Sequence, residues 1–332
     1  MGKFKKTKTN NKQRSKTKHS KPKKKGKKTV RNVRSKCKMV ISGGNKDGFI
    51  PLRCNPVSKV KKGGSMTFSC FSAGQIEILK NSWNELNPDD KINDTVSKDI
   101  WNGLYEKNKS SCNKESCWIS KLIHTPELQK EMRDAFAPLA PKEWEKNPNM
   151  WITNFDINRV MAQYEKAYHC FSFLEPAPID YDFIEDGECI EPELCNFKIG
   201  NYIKKGKKKI GIIFNTDVHS GTGEHWVSLF INIPKSKIFY FDSVGDAIPS
   251  QIKKFVDKVV DQGAQLNDPI HFEFDQNHPV EHQTKNTECG IYSMYFIVYM
   301  LKDEITGDYL KTHILSDKYM EKFRKVLFNE EL

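Results

Sequence analysis

The amino-acid sequence predicts an α+β protein: a mixed sheet with flanking helices, preceded by a mostly helical arm and a disordered basic tail. Three observations carry this. Positive charge is concentrated at one end: residues 1–62 hold 23 Lys and Arg and a single acid, Asp47, a net charge of +22, whereas the other 270 residues carry −10. Apolar residues recur at helical spacing from 74 to 170. After 170 the texture turns to short β-branched and aromatic runs bounded by turn residues. The boundaries read as 1–65 for the tail, 66–172 for the arm and 173–332 for the body.

Residues 1–42 are Lys, Thr, Ser and Asn with almost no large apolar side chain, so they cannot bury enough surface to offset the entropy of ordering. Two Gly-Gly pairs follow, Gly43-Gly44-Asn45 and Gly63-Gly64-Ser65, the second where the charge changes sign. In the arm, Ile76, Ile78 and Leu79 lie near Trp83 and Leu86; then come Ile100, Leu104 and Tyr105, then Trp118, Ile119, Leu122 and Ile123. Helical spacing continues over 127–136 and 157–168, and Pro138, Pro141 and Pro148 break the region into short helices. In the body, 210–214, 225–233 and 237–242 read as strands. Val227, Leu229 and Ile231 alternate with Ser228, Phe230 and Asn232, and Pro234-Lys235-Ser236 joins the last two runs as in an antiparallel hairpin. Residues 252–260 read as a helix, 271–274 as a strand, 289–301 as a strongly apolar helix and 317–328 as a terminal amphipathic one.

Several classes fall away. The overall charge of +12 describes neither the tail nor the body, so the chain is not a basic nucleic-acid-binding domain throughout. No apolar run approaches the roughly 18 residues of a membrane helix, and no secretory leader is visible. Gly2 hints at myristoylation, but Lys6 stands where that pattern wants Ser or Thr. Nine cysteines without regular spacing do not suggest a disulfide framework, and a reducing compartment is expected. No CxxC pair suggests zinc, and no metal or organic cofactor is expected.

Three segments bear chemistry. Gly221-Thr222-Gly223-Glu224-His225-Trp226 delivers a His onto the start of a strand. Phe239-Tyr240-Phe241-Asp242-Ser243 ends an aromatic strand with an Asp. His282-Gln283 precedes Thr287-Glu288-Cys289-Gly290, a Cys at the entrance of an apolar helix. Singly, each has a bland reading: a half-buried His, a turn-forming Asp, a small buried Cys. Together they match what a thiol nucleophile requires, namely a base that holds it as thiolate and a carboxylate that fixes the base. A helix N-terminus stabilises the thiolate further.

The set His225-Trp226, Asp242, Gln283 and Cys289-Gly290 resembles the Ulp1-like (adenovirus-protease-like) cysteine protease superfamily, most nearly its viral branch, the polyprotein proteases of African swine fever virus and other large DNA viruses. Glu115-Ser116-Cys117, Thr153-Asn154-Phe155 and the stretch from Asn215-Thr216-Asp217 to Val227 carry the same likeness, which spans about 70–332 and leaves the tail outside. The swine fever virus member has Asn where Asp242 stands. Glu288 precedes the Cys where SUMO proteases usually have Asp, which favours the viral branch. The resemblance implies a Ulp1-like core with Cys289 as nucleophile, His225 as base and Asp242 as its orienting partner. Gln283 and the Cys289 backbone N–H would form the oxyanion hole, with Asn286 as the rival side-chain donor. Trp226 either covers the substrate channel or packs in the core. Asp217 and His219 are read as bystanders.

By the same resemblance the expected activity is a cysteine endopeptidase cutting after Gly-Gly motifs in viral structural polyproteins, in the virion and in the host cytoplasm during assembly. A SUMO- or ubiquitin-like-protein deconjugase is the alternative, and a virion nucleic-acid-binding protein on an inactive protease fold is a third reading. Residues 1–62 are expected to bind polyanions without sequence preference, and no membrane partner is expected. Gly63-Gly64-Ser65 has the Gly-Gly-Xaa form that such enzymes cleave, which makes the tail a candidate for self-trimming.

Overall fold

Among the described residues, the helices α1 (Ala73–Leu86), α2 (Ser97–Asn108), α3 (Glu115–Leu122), α4 (Pro126–Arg133) and α5 (Asn154–Ala167) precede the sheet. The structure, a computed structural model, describes residues 53–57 and 68–329. The expectations for most of the basic tail, including both Gly-Gly pairs, lie outside the described residues. Capping boxes open α1 and α5: Ser72 with Gln75 and Thr153 with Asp156 each satisfy reciprocal backbone donors. The first four helices close around Ile76, Leu79, Leu104, Trp118 and Met132, and Cys54 and Phe71 join that cluster. Segment 53–57 adheres to it, with Asn55 N donating to Ala135 O at 2.9 Å and Ala137 N to Arg53 O at 2.7 Å. The fifth helix instead packs with the sheet, through Ile157, Val160 and Met161.

The main sheet has five strands: β1 (Phe171–Pro178), β4 (Lys209–Asn215), β5 (Trp226–Asn232), β6 (Lys237–Phe241) and β7 (Glu273–Gln276), in that spatial order. A small hairpin, β2 (Ile184–Glu185) with β3 (Glu188–Cys189), lies outside it. The outer pairs β1·β4 and β6·β7 are parallel, and β4·β5 and β5·β6 are antiparallel, so the sheet is mixed. Alternation sorts side chains to two faces. Val227, Leu229, Ile231, Ile238 and Tyr240 join one cluster, which α6 (Pro192–Cys195), α7 (Ile199–Lys204) and α8 (Ser250–Ala264) cover. Phe230, Phe239 and Phe241 join the other, under α5, α9 (Cys289–Lys302), α10 (Gly307–Thr312) and α11 (Asp317–Leu327). The α9 helix is apolar nearly all round because it is buried between the sheet and α11. At Gly211 a Cβ would stand 2.8 Å from Ile297, so the missing side chain lets α9 approach the sheet.

The strands expected at 210–214, 225–233 and 237–242 and their hairpin are present. The strand expected at 271–274 lies two residues later, where pairing with β6 places it. The cysteine expectation is overturned. Cys54–Cys70, Cys112–Cys117 and Cys189–Cys195 are disulfides, and Cys170 is disulfide-bonded as well. The three pairs are local, 16, 5 and 6 residues apart, and sit in separate parts of the fold, so they leave no regular spacing to read. Among the described residues, Cys289 alone is a free thiol.

Candidate active site

The site is assembled from the starts and ends of elements. His225 immediately precedes β5, held there by Thr216 N donating to His225 O at 2.8 Å. The connection before it is wound on two side chains. Asn215 Oδ1 accepts from Asp217 N at 2.9 Å and Glu224 N at 3.0 Å, and Asp217 Oδ2 accepts from Gly223 N at 2.8 Å. Gly223 has φ +91°, the left-handed region that glycine tolerates. His219 pairs with Asp180 at 2.7 Å, away from His225's own partners. Asp217 and His219 thus shape the loop.

Asp242 follows β6 and is 2% exposed. Its backbone is gripped by Asn277, whose Oδ1 accepts from Asp242 N at 2.9 Å while its Nδ2 donates to Asp242 O at 2.7 Å. Asp242 Oδ1 accepts from Val244 N at 2.9 Å and meets His225 Nε2 at 2.7 Å. Cys289 is the other side chain whose presence raises the proton affinity of the ring. Burial favours the neutral ring, but the hydrogen bonds to Asp242 and Cys289 and their negative charges outweigh it and raise the His225 pKa to about 10.

Cys289 is the first residue of α9, where orphan backbone N–H groups and the helix dipole favour an anion. Gly290 behind it packs so closely that a Cβ would stand 2.4 Å from Ile152 and 3.1 Å from Trp226. The loop before Cys289 is fastened from three sides. Asp317 Oδ2 accepts from Thr284 Oγ1 at 2.6 Å and Lys285 N at 3.1 Å. Arg324 donates through Nε to Glu288 Oε2 at 3.0 Å and through Nη1 to Met150 O at 2.8 Å, in a pair almost wholly shut from water. Trp151 Nε1 donates to Asn286 O at 2.6 Å.

His225 thus lies against Asp242, and Cys289 influences the same ring. Gln283 is buried and Asn286, its rival in the sequence reading, is exposed. Trp226 is half-buried, and its indole N–H donates to Ile152 O at 3.2 Å. The sequence reading gave no role to Trp151, Asn277 or Arg324. Trp151 stands two residues before a quoted block, which was the available signal. Among the described residues no group of three or more His, Cys, Asp or Glu is set to hold a metal ion.

Residues 199–332 match the family model described as the Ulp1 protease family, C-terminal catalytic domain. These residues form a Ulp1-like protease domain. The chain is 27% identical over 258 residues, 73% of its length and 92% of the relative, to a protein of African swine fever virus named a SUMO-1 cysteine protease. It is 26% identical over 285 residues, 79% of its length and 90% of the relative, to a protein of Acanthamoeba polyphaga mimivirus whose name assigns it to the thiol proteases. The crystal structure of the African swine fever virus protease has the same fold, with a TM-score of 0.60 and 21% identity over 85% of this chain and 97% of that one. The Ulp1-type enzyme is a cysteine peptidase with homologues in large DNA viruses.

Proposed function

We propose that this cysteine peptidase cleaves after Gly-Gly in structural polyproteins of a large DNA virus, in the virion and in the host cytoplasm during assembly. The observation that carries the mechanism is His225 bonded at 2.7 Å to a buried Asp242, with the free thiol of Cys289 at the start of α9 acting on the same ring. The Cys289 thiolate attacks the scissile carbonyl, and His225 gives its proton to the leaving amine. Water then hydrolyses the thioester, losing a proton to His225 as the thiolate departs. The Cys289 N–H and the Gln283 carboxamide stabilise the oxyanion in both steps. Asp242 keeps the ring oriented and favours the imidazolium.

The Gly-Gly reading is supported by two indoles: exposed Trp151, bonded to the loop before Cys289 at Asn286 O, and half-buried Trp226, packed against Gly290. A channel walled by such rings admits residues without a Cβ and excludes larger ones. The polyprotein reading is supported by relatives matched along the helical arm as well as the protease domain. A second reading, deconjugation of a ubiquitin-like protein, is favoured by the SUMO-1 name of the swine fever virus relative. Incubation with viral Gly-Gly-Xaa precursors beside a ubiquitin-like precursor, with new N-termini mapped, separates them; cleavage of only the ubiquitin-like substrate overturns the polyprotein reading. The +22 tail adds salt-sensitive polyanion binding, tested by the slope of DNA affinity against salt with and without residues 1–62.

A further inference from the structure

Asp242 and Ser243 are neighbours that face different parts of the site. Asp242 meets His225. Ser243, 1% exposed, donates its hydroxyl to Gln283 Oε1 over 2.7 Å. Its backbone carbonyl accepts from His282 N and Gln283 N, both at 2.8 Å. The Gln283 nitrogen in turn donates to Lys285 O. A carbonyl only accepts, so Lys285 fixes which end of the amide is nitrogen, and the Ser243 hydroxyl satisfies the oxygen. The nitrogen carries two N–H groups; Lys285 takes one and leaves one.

We infer that Ser243 is a positioning residue for the oxyanion hole: its hydroxyl holds the Gln283 carboxamide so that the remaining N–H meets the oxyanion on the Cys289 adduct. The inference rests on the reading of Gln283 as an oxyanion donor. Such a donor is effective only when it is oriented before the charge develops, and a glutamine has three side-chain torsions to hold. Without the hydroxyl, Oε1 is buried and unpaired, and turning the amide away relieves that cost. The hydrogen bond to Oε1 also polarises the amide and makes its N–H groups better donors. Ser243 touches no reacting atom. One strand end thus sets both the imidazole, through Asp242, and the carboxamide, through Ser243.

The test uses full-length Ser243→Ala, Gln283→Ala, the double variant, and the pair Ser243→Thr and Ser243→Val. Two rates are measured: peptide hydrolysis, and alkylation of Cys289 by iodoacetamide, which needs the thiolate but no oxyanion hole. Ser243→Ala is expected to lower kcat about ten-fold, a fraction of the roughly hundred-fold loss of a whole donor, with KM and the alkylation rate held. The double variant is expected to be no slower than Gln283→Ala. Thr and Val have nearly the same shape and differ in the hydroxyl, so faster turnover by Thr isolates it even if Ala disturbs packing. Wild-type turnover by Ser243→Ala beside a slow Gln283→Ala overturns the inference, as does alkylation slowed as much as turnover. Wild-type turnover by Gln283→Ala instead overturns the oxyanion reading on which it rests.

Discussion

At the scale of single residues, the chemistry turns on where one proton sits. Cys289→Ser is expected to lower kcat/KM roughly 10³-fold or more, because His225 does not hold a hydroxyl as an anion at neutral pH. A Ser variant keeping a few per cent of wild-type activity would point to another nucleophile. His225 makes the sign of the pH dependence explicit. Its folded pKa is raised to about 10, so the imidazolium persists below that value and is lost above it. Its contribution to stability is correspondingly full below the ordinary imidazole value near 6.5 and fades as pH rises through the folded value. The alkaline limb of kcat/KM is expected near 10. Asp242→Asn removes a negative charge but keeps a hydrogen-bond acceptor for the ring, so it should retain measurable activity while the alkaline limb moves down towards neutrality. A limb that does not move in Asp242→Asn would mean that hydrogen bonding alone, not the carboxylate charge, sets the proton affinity.

At the scale of elements, α11 is the back wall of the site. Asp317 at its start holds Thr284 and Lys285, and Arg324 near its end holds Glu288 and Thr287 O. Glu288 is fully buried, so removing its partner strands a charge next to Cys289. Arg324→Ala is expected to cost roughly 3–5 kcal/mol in urea unfolding. Arg324→Lys should recover little, since one ammonium cannot reach Glu288, Met150 O and Thr287 O together. An Ala variant with an unchanged urea midpoint would mean that water reaches Glu288. None of this was legible in the sequence, where Arg324 and Glu288 stand 36 residues apart with no pattern joining them. What was legible had short-range causes. The alternation in β5 and β6 marks a sheet covered on both faces, and the turn between them carries its own punctuation. The β1 strand, absent from the sequence reading, contains Pro176 and Pro178 and lies at the sheet edge, where missing donors are tolerated. The Cys, His and Asp candidates stood out because residue type and helix position both constrain them; Gln283 was preferred to Asn286 in the sequence, and burial, which no sequence pattern displays, sets the two amides further apart.

At the scale of the whole molecule, the disulfides change what trimming of the tail would accomplish. Gly63-Gly64-Ser65 lies outside the described residues, but in sequence it falls between Cys54 and Cys70, which are bonded. Segment 53–57 is also fastened natively: Asn55 Nδ2 donates to Asp134 O at 2.8 Å and Asn329 Nδ2 to Arg53 O at 3.2 Å. If the enzyme cuts after Gly64, the basic piece therefore stays on the acidic body through both the disulfide and these contacts. The expected result for active enzyme, set beside Cys289→Ser, is an intact mass under non-reducing conditions that gains one water without losing the tail. Reduction and denaturation together then release residues 1–64. Reduction alone, on a native gel, leaves the two pieces associated. Loss of the tail without reductant would show that Cys54 and Cys70 are not joined, and identical cleavage in Cys289→Ser would assign the cut to another protease. The physical consequence is that cleavage and release become separate events: a change in redox conditions, not the cut itself, would free the polyanion-binding segment from the peptidase.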